Sequence, residues 1–75
     1  MTPRLPNLSA RQLIAALERA GFELQRQKGS HATLRHPETK RITVVPWHGG
    51  DVKRPLLKAI LQQAGLSEDQ LRNLL

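Results

Sequence analysis

The sequence predicts an α+β fold: one three-stranded antiparallel sheet with helices packed on a single face. Three observations carry that expectation. A chain of 75 residues has room for one hydrophobic core, so residues 1–75 are expected to form a single domain. Apolar residues at helical spacing occupy both ends of the chain, each end introduced by a capping pattern. Between them lie three short runs that alternate apolar and polar residues, separated by "KGS" and "PET".

Residues 1–8 read as an extended lead-in. Ser9 suits the N-cap of the first helix, and Gln12, three residues on, completes a capping box. Leu13, Ile14, Leu17 and Ala20 then share one face and Gly21 stops the helix, which covers about residues 10–20. Phe22 and Leu24 alternate in the first strand, Ala32 and Leu34 in the second, and Ile42 and Val44 in the third, before Pro46. For Leu24 and Leu34 to face the same core, the first loop needs an odd length. The simplest is Lys28-Gly29-Ser30, with Gly29 in the left-handed region. The same reasoning gives Pro37-Glu38-Thr39 for the second loop. Trp47 to Arg54 is a loop, and Pro55 suits the first turn of a second helix. Its apolar stripe is Leu56, Leu57, Ile60, Leu61 and Ala64, and Gly65 closes it. Ser67 with Gln70 repeats the capping box before a short last helix bearing Leu71, Leu74 and Leu75. The order is α-β-β-β-α-α.

Helices on one face leave the other open. Parity assigns Gln25, Gln27, His31, Thr33, Arg35, Arg41, Thr43 and Val45 to that open face. In this register Arg35 stands opposite Arg41, with Glu23 opposite Arg35 on its other side. Like charges directly opposite are destabilising, so the arginine pair points to an anion bound between them.

The net charge is +6, and all of the excess lies in the middle of the chain. From Arg26 to Lys58 there are eight basic residues (Arg26, Lys28, Arg35, Lys40, Arg41, Lys53, Arg54, Lys58) against two acids, Glu38 and Asp51. Such a block is the footprint of a phosphate-binding surface.

Several chemistries fall away. Without cysteine there are no disulfides and no thiolate metal sites. "MTPRLPNLSA" has no apolar run of the kind found in a leader or membrane anchor, so a cytoplasmic protein is expected. His31 and His36 project to opposite faces of a strand, and His48 with Asp51 is a bare pair, so neither metal nor cofactor is expected. Ser30 and His31 point apart and have no orienting carboxylate, which argues against a serine nucleophile. Ser30 suits shaping the loop or donating to a phosphate oxygen. General acid–base catalysis remains, because histidine titrates near neutral pH and can move a proton on and off a ribose 2′-hydroxyl. His31 is the candidate, and Lys28, Arg35 and Arg41 would hold the phosphate. A second proton-transfer group is open between His48 and Lys28. The full set of expected RNA contacts is Lys28, Gly29, Ser30, Arg35, Arg41, His48, Lys53 and Arg54.

Two other readings use the same residues differently. A non-catalytic module that reads RNA shape would employ the basic surface and leave His31 idle. A helix-turn-helix around "ILQQAGLSEDQLRNLL" would open its recognition helix with Glu68 and Asp69, the wrong charge for DNA.

The chain also resembles the HicA family of small toxins, the ribonuclease halves of toxin–antitoxin pairs. The resemblance runs from about Ser9 to Leu66 and rests on "ALERAGFELQRQKGSHATLRHP", "RITVVPWH" and "LLKAILQQAGLS". It implies a double-stranded-RNA-binding-like fold, metal-independent mRNA cleavage, a catalytic histidine at His31 and an antitoxin partner of the HicB type. One departure is Arg54-Pro55, where the family often has a Gly-Thr-like pair leading into the second large helix.

Overall fold

A computed structural model of the chain describes residues 5–47 and 50–75. The elements follow the expected order: α1 (Ala10–Arg19), β1 (Glu23–Lys28), β2 (His31–Arg35), β3 (Ile42–Pro46), α2 (Arg54–Ala64) and α3 (Glu68–Leu74). The strands form one antiparallel sheet in the order β1-β2-β3. Both capping boxes are present. Ser9 Oγ accepts from the Gln12 amide and Ser67 Oγ from that of Gln70, while each glutamine side chain accepts from its cap residue's backbone. Each cap satisfies two helix-end amides that would otherwise lack partners. At α2, Pro55 occupies the first turn and Gly65 closes the helix at φ 74°.

The core lies between the helices and one face of the sheet. Leu13, Leu17, Phe22, Leu34, Ile60 and Leu71 are all buried in it. Leu5 and Leu8 join them, so residues 5–8 of the lead-in belong to the core; residues 1–4 lie outside the described residues. Backbone contacts stitch it down: the Val52 amide donates to the Leu8 carbonyl at 2.7 Å, and Ser9 bridges Asp51. Leu56, placed in the buried stripe of α2 by its spacing, is instead exposed; Leu57, Ile60, Leu61 and Ala64 make the buried face.

The sheet differs from expectation in both connections. The first loop is a two-residue turn, Gly29-Ser30, with Lys28 paired to His31. Gly29 has φ 57°, and a glycine of positive φ at the first central position is the mark of a type II′ hairpin turn. The odd residue that parity demanded is a β-bulge at Gln25: Leu24 stands opposite Leu34, and the next pair is Arg26 with Thr33. Bulges place two residues opposite one, so the count is kept while every side chain beyond Gln25 changes face.

The second loop has four residues, Pro37 to Lys40. The His36 amide donates to the Arg41 carbonyl at 2.9 Å and Lys40 takes φ 65°. One added residue inverts the parity of β3. Thr43 and Val45 therefore face the core, at 1% and 0% exposure, while Ile42 and Val44 face outward at 52% and 39%. The Thr43 hydroxyl donates to Gln63 Oε1 at 2.9 Å, which lets a polar group sit in the core. Leu24, expected in the core, is 45% exposed, on a strand whose residues all reach solvent.

Gly21 shows how tightly the helix-to-sheet corner is built. Its φ is 103°, and a Cβ there would lie 2.7 Å from His36 Nε2. His36 cannot easily yield: its ring stands edge-on to Phe22 at 5.2 Å, and Nδ1 accepts the amides of Glu38 and Thr39. Gly21→Ala should therefore cost about 2–3 kcal/mol from strain and overlap together. Gly29→Ala meets no neighbour within 4 Å and should lose only about 1 kcal/mol to backbone strain. Equilibrium urea unfolding of the two variants checks the ranking; equal losses would refute the steric account.

Candidate active site

The open face of the sheet is assembled by the bulge and the two turns. Since Ala32 and Leu34 are buried against the helices, His31, Thr33 and Arg35 project from the opposite side of β2. Their partners on β1 are Lys28, Arg26 and Glu23. On β3 they are Pro46, Val44 and Ile42. The expectation that Gln25 and Gln27 line this face is thus corrected: the bulge sets Arg26 and Lys28 there, and Gln27 stands opposite buried Ala32. Likewise Thr43 and Val45 leave the face and Ile42 and Val44 enter it. Glu23 opposes Arg35 as expected, but Arg35 faces Ile42 across β3, so no arginine pair forms. The result is a face with positive charge along β1 and β2 and apolar side chains along β3.

His31 is exposed at the start of β2, immediately after the Gly29-Ser30 turn. Directly opposed residues have Cβ atoms about 4.5–5.5 Å apart, so Lys28 is its nearest cationic neighbour across the ladder. Pro46, on the other side, offers neither a charge nor a proton. The Ser30 carbonyl accepts the Trp47 amide, tying the turn to the end of β3. His48 lies outside the described residues. Among the described residues no helix is long and apolar enough to cross a membrane.

The remaining basic residues have distinct surroundings. Arg41 points to the helix side: its Nη1 donates to the Gln63 carbonyl at 3.4 Å, and a Cβ on Gly65 would lie 2.7 Å from its Nε. A cation at a helix C-terminus is favoured by the helix dipole, and here it also caps a free carbonyl. Arg54, half-buried, donates from Nη2 to the Leu5 carbonyl at 2.6 Å and fastens the lead-in to α2. Lys53 is exposed as the N-cap of α2, a helix end with no acidic residue in its first turn. Lys40 and Lys58 are exposed on the second hairpin loop and on α2. Of the expected contact residues, Lys28, Gly29, Ser30 and Arg35 gather with His31 on one hairpin. Lys53 and Arg54 sit together at the start of α2, and Arg41 is turned away from the open face.

His36 is a structural residue. It sits on the helix side of the chain beside Phe22, opposite in direction to His31, as their spacing predicted. Arg26 was the open-face cation that parity alone missed. Only the pairing across the bulge reveals it, since "ELQRQK" has no glycine or proline to mark an irregular position.

The profile of one protein family, described as the HicA toxin of bacterial toxin–antitoxin systems, matches residues 10–66. Comparison with individually characterised proteins finds no match. The family match spans most of the 75-residue chain, from α1 to the turn after α2, and the chain belongs to this family.

The two arginines divide the functions of charge, and this can be measured. Arg41→Ala should lower stability by about 1 kcal/mol through loss of the helix cap and dipole interaction. Arg35→Ala, on the open face, should stay within about 0.5 kcal/mol of the parent. Thermal melts followed by circular dichroism distinguish them; an Arg35 loss as large as that of Arg41 would contradict the division.

Proposed function

We propose that this member of the HicA toxin family is a cytoplasmic endoribonuclease that cleaves mRNA without a metal, using His31 as general acid and base, and that an antitoxin of the HicB type inhibits it. The observation that carries this reading is the position of His31: exposed on the open face, across from Lys28 and on the same face as Arg26 and Arg35. The cross-strand neighbour of the imidazole is a cation and not a carboxylate, which suits a phosphodiester substrate and is a poor environment for magnesium. The 2′-hydroxyl of RNA supplies the internal nucleophile. Its oxygen attacks the adjacent phosphorus as His31 takes the proton, the bond to the 5′-oxygen breaks, and that oxygen receives a proton in turn.

Protection of the host cell is the second part of the reading. A nuclease whose histidine stands open on a sheet face needs a mask. The positive strip favours a partner carrying carboxylates, which also speeds association. RNA and antitoxin would then compete for one face.

Incubation of purified protein with a defined mRNA in EDTA tests the activity. Cleavage should leave a 2′,3′-cyclic phosphate or 3′-phosphate upstream and a 5′-hydroxyl downstream. His31→Ala should be folded and slower by about 10²–10⁴. A 5′-phosphate product, a requirement for added metal, or full activity in the variant would each refute the mechanism. No cleavage at all, with RNA still bound, would favour the shape-reading module.

Competition is tested separately with Lys28→Glu/Arg35→Glu. Affinity for RNA and for the antitoxin should fall together in titrations at fixed salt. Tight antitoxin binding by a variant that has lost RNA would place inhibition elsewhere on the surface.

A further inference from the structure

His31 is a single proton-transfer group, and cleavage of a phosphodiester also demands that the charge gathering on the non-bridging oxygens be met. Distances along the sheet decide which cation can meet it. Arg35 is four residues along β2 from His31, about 13 Å at the rise of an extended strand. Arg26 pairs with Thr33, two residues along, which separates it from His31 by about 7 Å of strand. Arg41 is committed to the end of α2 and Arg54 to the Leu5 carbonyl. Lys28 alone among these cations is the direct cross-strand partner of His31.

Its place there is a product of the bulge. Without an extra residue at Gln25, the pairing of Leu24 with Leu34 would continue to Gln27 opposite His31 and leave Lys28 in the loop. With it, Lys28 ends β1 on the same face as the imidazole. Both residues are exposed, so a ribose–phosphate backbone can reach them together.

We propose that Lys28 is a second catalytic residue, whose ammonium donates hydrogen bonds to a non-bridging oxygen of the scissile phosphate and is tighter on the transition state than on the substrate. The inference rests on the ribonuclease reading above. In the step, the 2′-oxygen–phosphorus bond forms and the phosphorus–5′-oxygen bond breaks. The proton leaves the 2′-hydroxyl for His31 and is returned to the 5′-oxygen. Lys28 stays protonated throughout and moves no proton; it meets charge. Arg26 and Arg35, farther along the strands, hold neighbouring phosphates and serve binding.

The test is steady-state cleavage of a short defined RNA by the full chain, with Lys28→Ala, Lys28→Arg and wild type compared. Loss of one preorganised donor to a transition-state oxygen costs about 10²-fold in kcat, and KM should change far less. Lys28→Arg should recover a good part of kcat, because a cation remains within reach. The same RNA made with sulfur at either non-bridging position supplies a readout that a structural role would not move. One of the two diastereomers should be cleaved more slowly than the oxygen substrate by wild type, and that discrimination should vanish in Lys28→Ala. Melting curves show whether the variants are folded; loss of fold in Lys28→Ala leaves the arginine variant and the wild-type sulfur effect as the deciding measurements. A kcat within threefold of wild type, a change confined to KM, or a sulfur effect that persists in a folded Lys28→Ala overturns the role of Lys28 and leaves the ribonuclease reading standing. Failure of wild type to cut any RNA overturns both.

Discussion

Burial of Ala32 and Leu34 against the helices is the constraint on which the rest of this molecule depends. β2 is the central strand, so whatever turns toward the core there dictates what its neighbours on both sides may show to solvent. His31, Thr33 and Arg35 are outward because those two residues are inward. Each adjacent strand must then adjust its own count to the same parity. β1 does so by a bulge, and β3 by the length of its turn. The chemistry of the open face is thus a consequence of packing on the hidden one.

Much of this was legible from residue order. Helix ends were marked by Ser9 with Gln12 and Ser67 with Gln70, since a hydroxyl and an amide at that spacing have one common use. The strands of the first hairpin were marked by alternation and by a glycine that can accept positive φ. What could not be read was parity beyond β2. "RITVV" holds apolar residues on both alternations, and β-branched side chains suit either face. The choice was made by Lys40, which adopts the left-handed region although it is not glycine, and by Gln63, a helix residue 20 positions away that accepts from Thr43. Neither leaves a local trace. The bulge is similar: a run of polar residues on an edge strand has no hydrophobic pattern to reveal a slip.

The basic block is less uniform than its sequence suggests. Arg41 and Arg54 are engaged with backbone carbonyls, one closing a helix and the other holding the lead-in. Guanidinium groups suit that work, being planar donors that stay charged. The exposed lysines and the open-face arginines are left to act on solvent and its anions. Beside them, Ile42 and Val44 form an apolar border along β3. A face that is cationic on one side and greasy on the other has an orientation, so a ligand laid across it meets different chemistry at each margin.

The fastening of the lead-in has a kinetic meaning. The hairpins close through short stretches of chain, and loops of that size form at small entropic cost. The Leu5 and Leu8 carbonyls accept from residues far along the chain: Arg54 reaches Leu5 across a separation of 49, and the Val52 amide reaches Leu8. Long-range closures of this kind slow folding, because their loop entropy is paid before their contacts repay it. Residues 5–8 are therefore held by closures far longer than those of the hairpins, and the α2 end of the loop that follows β3 is held by the same contacts. Loop-closure entropy thus weighs more on the contacts of the lead-in than on the hairpins of the sheet.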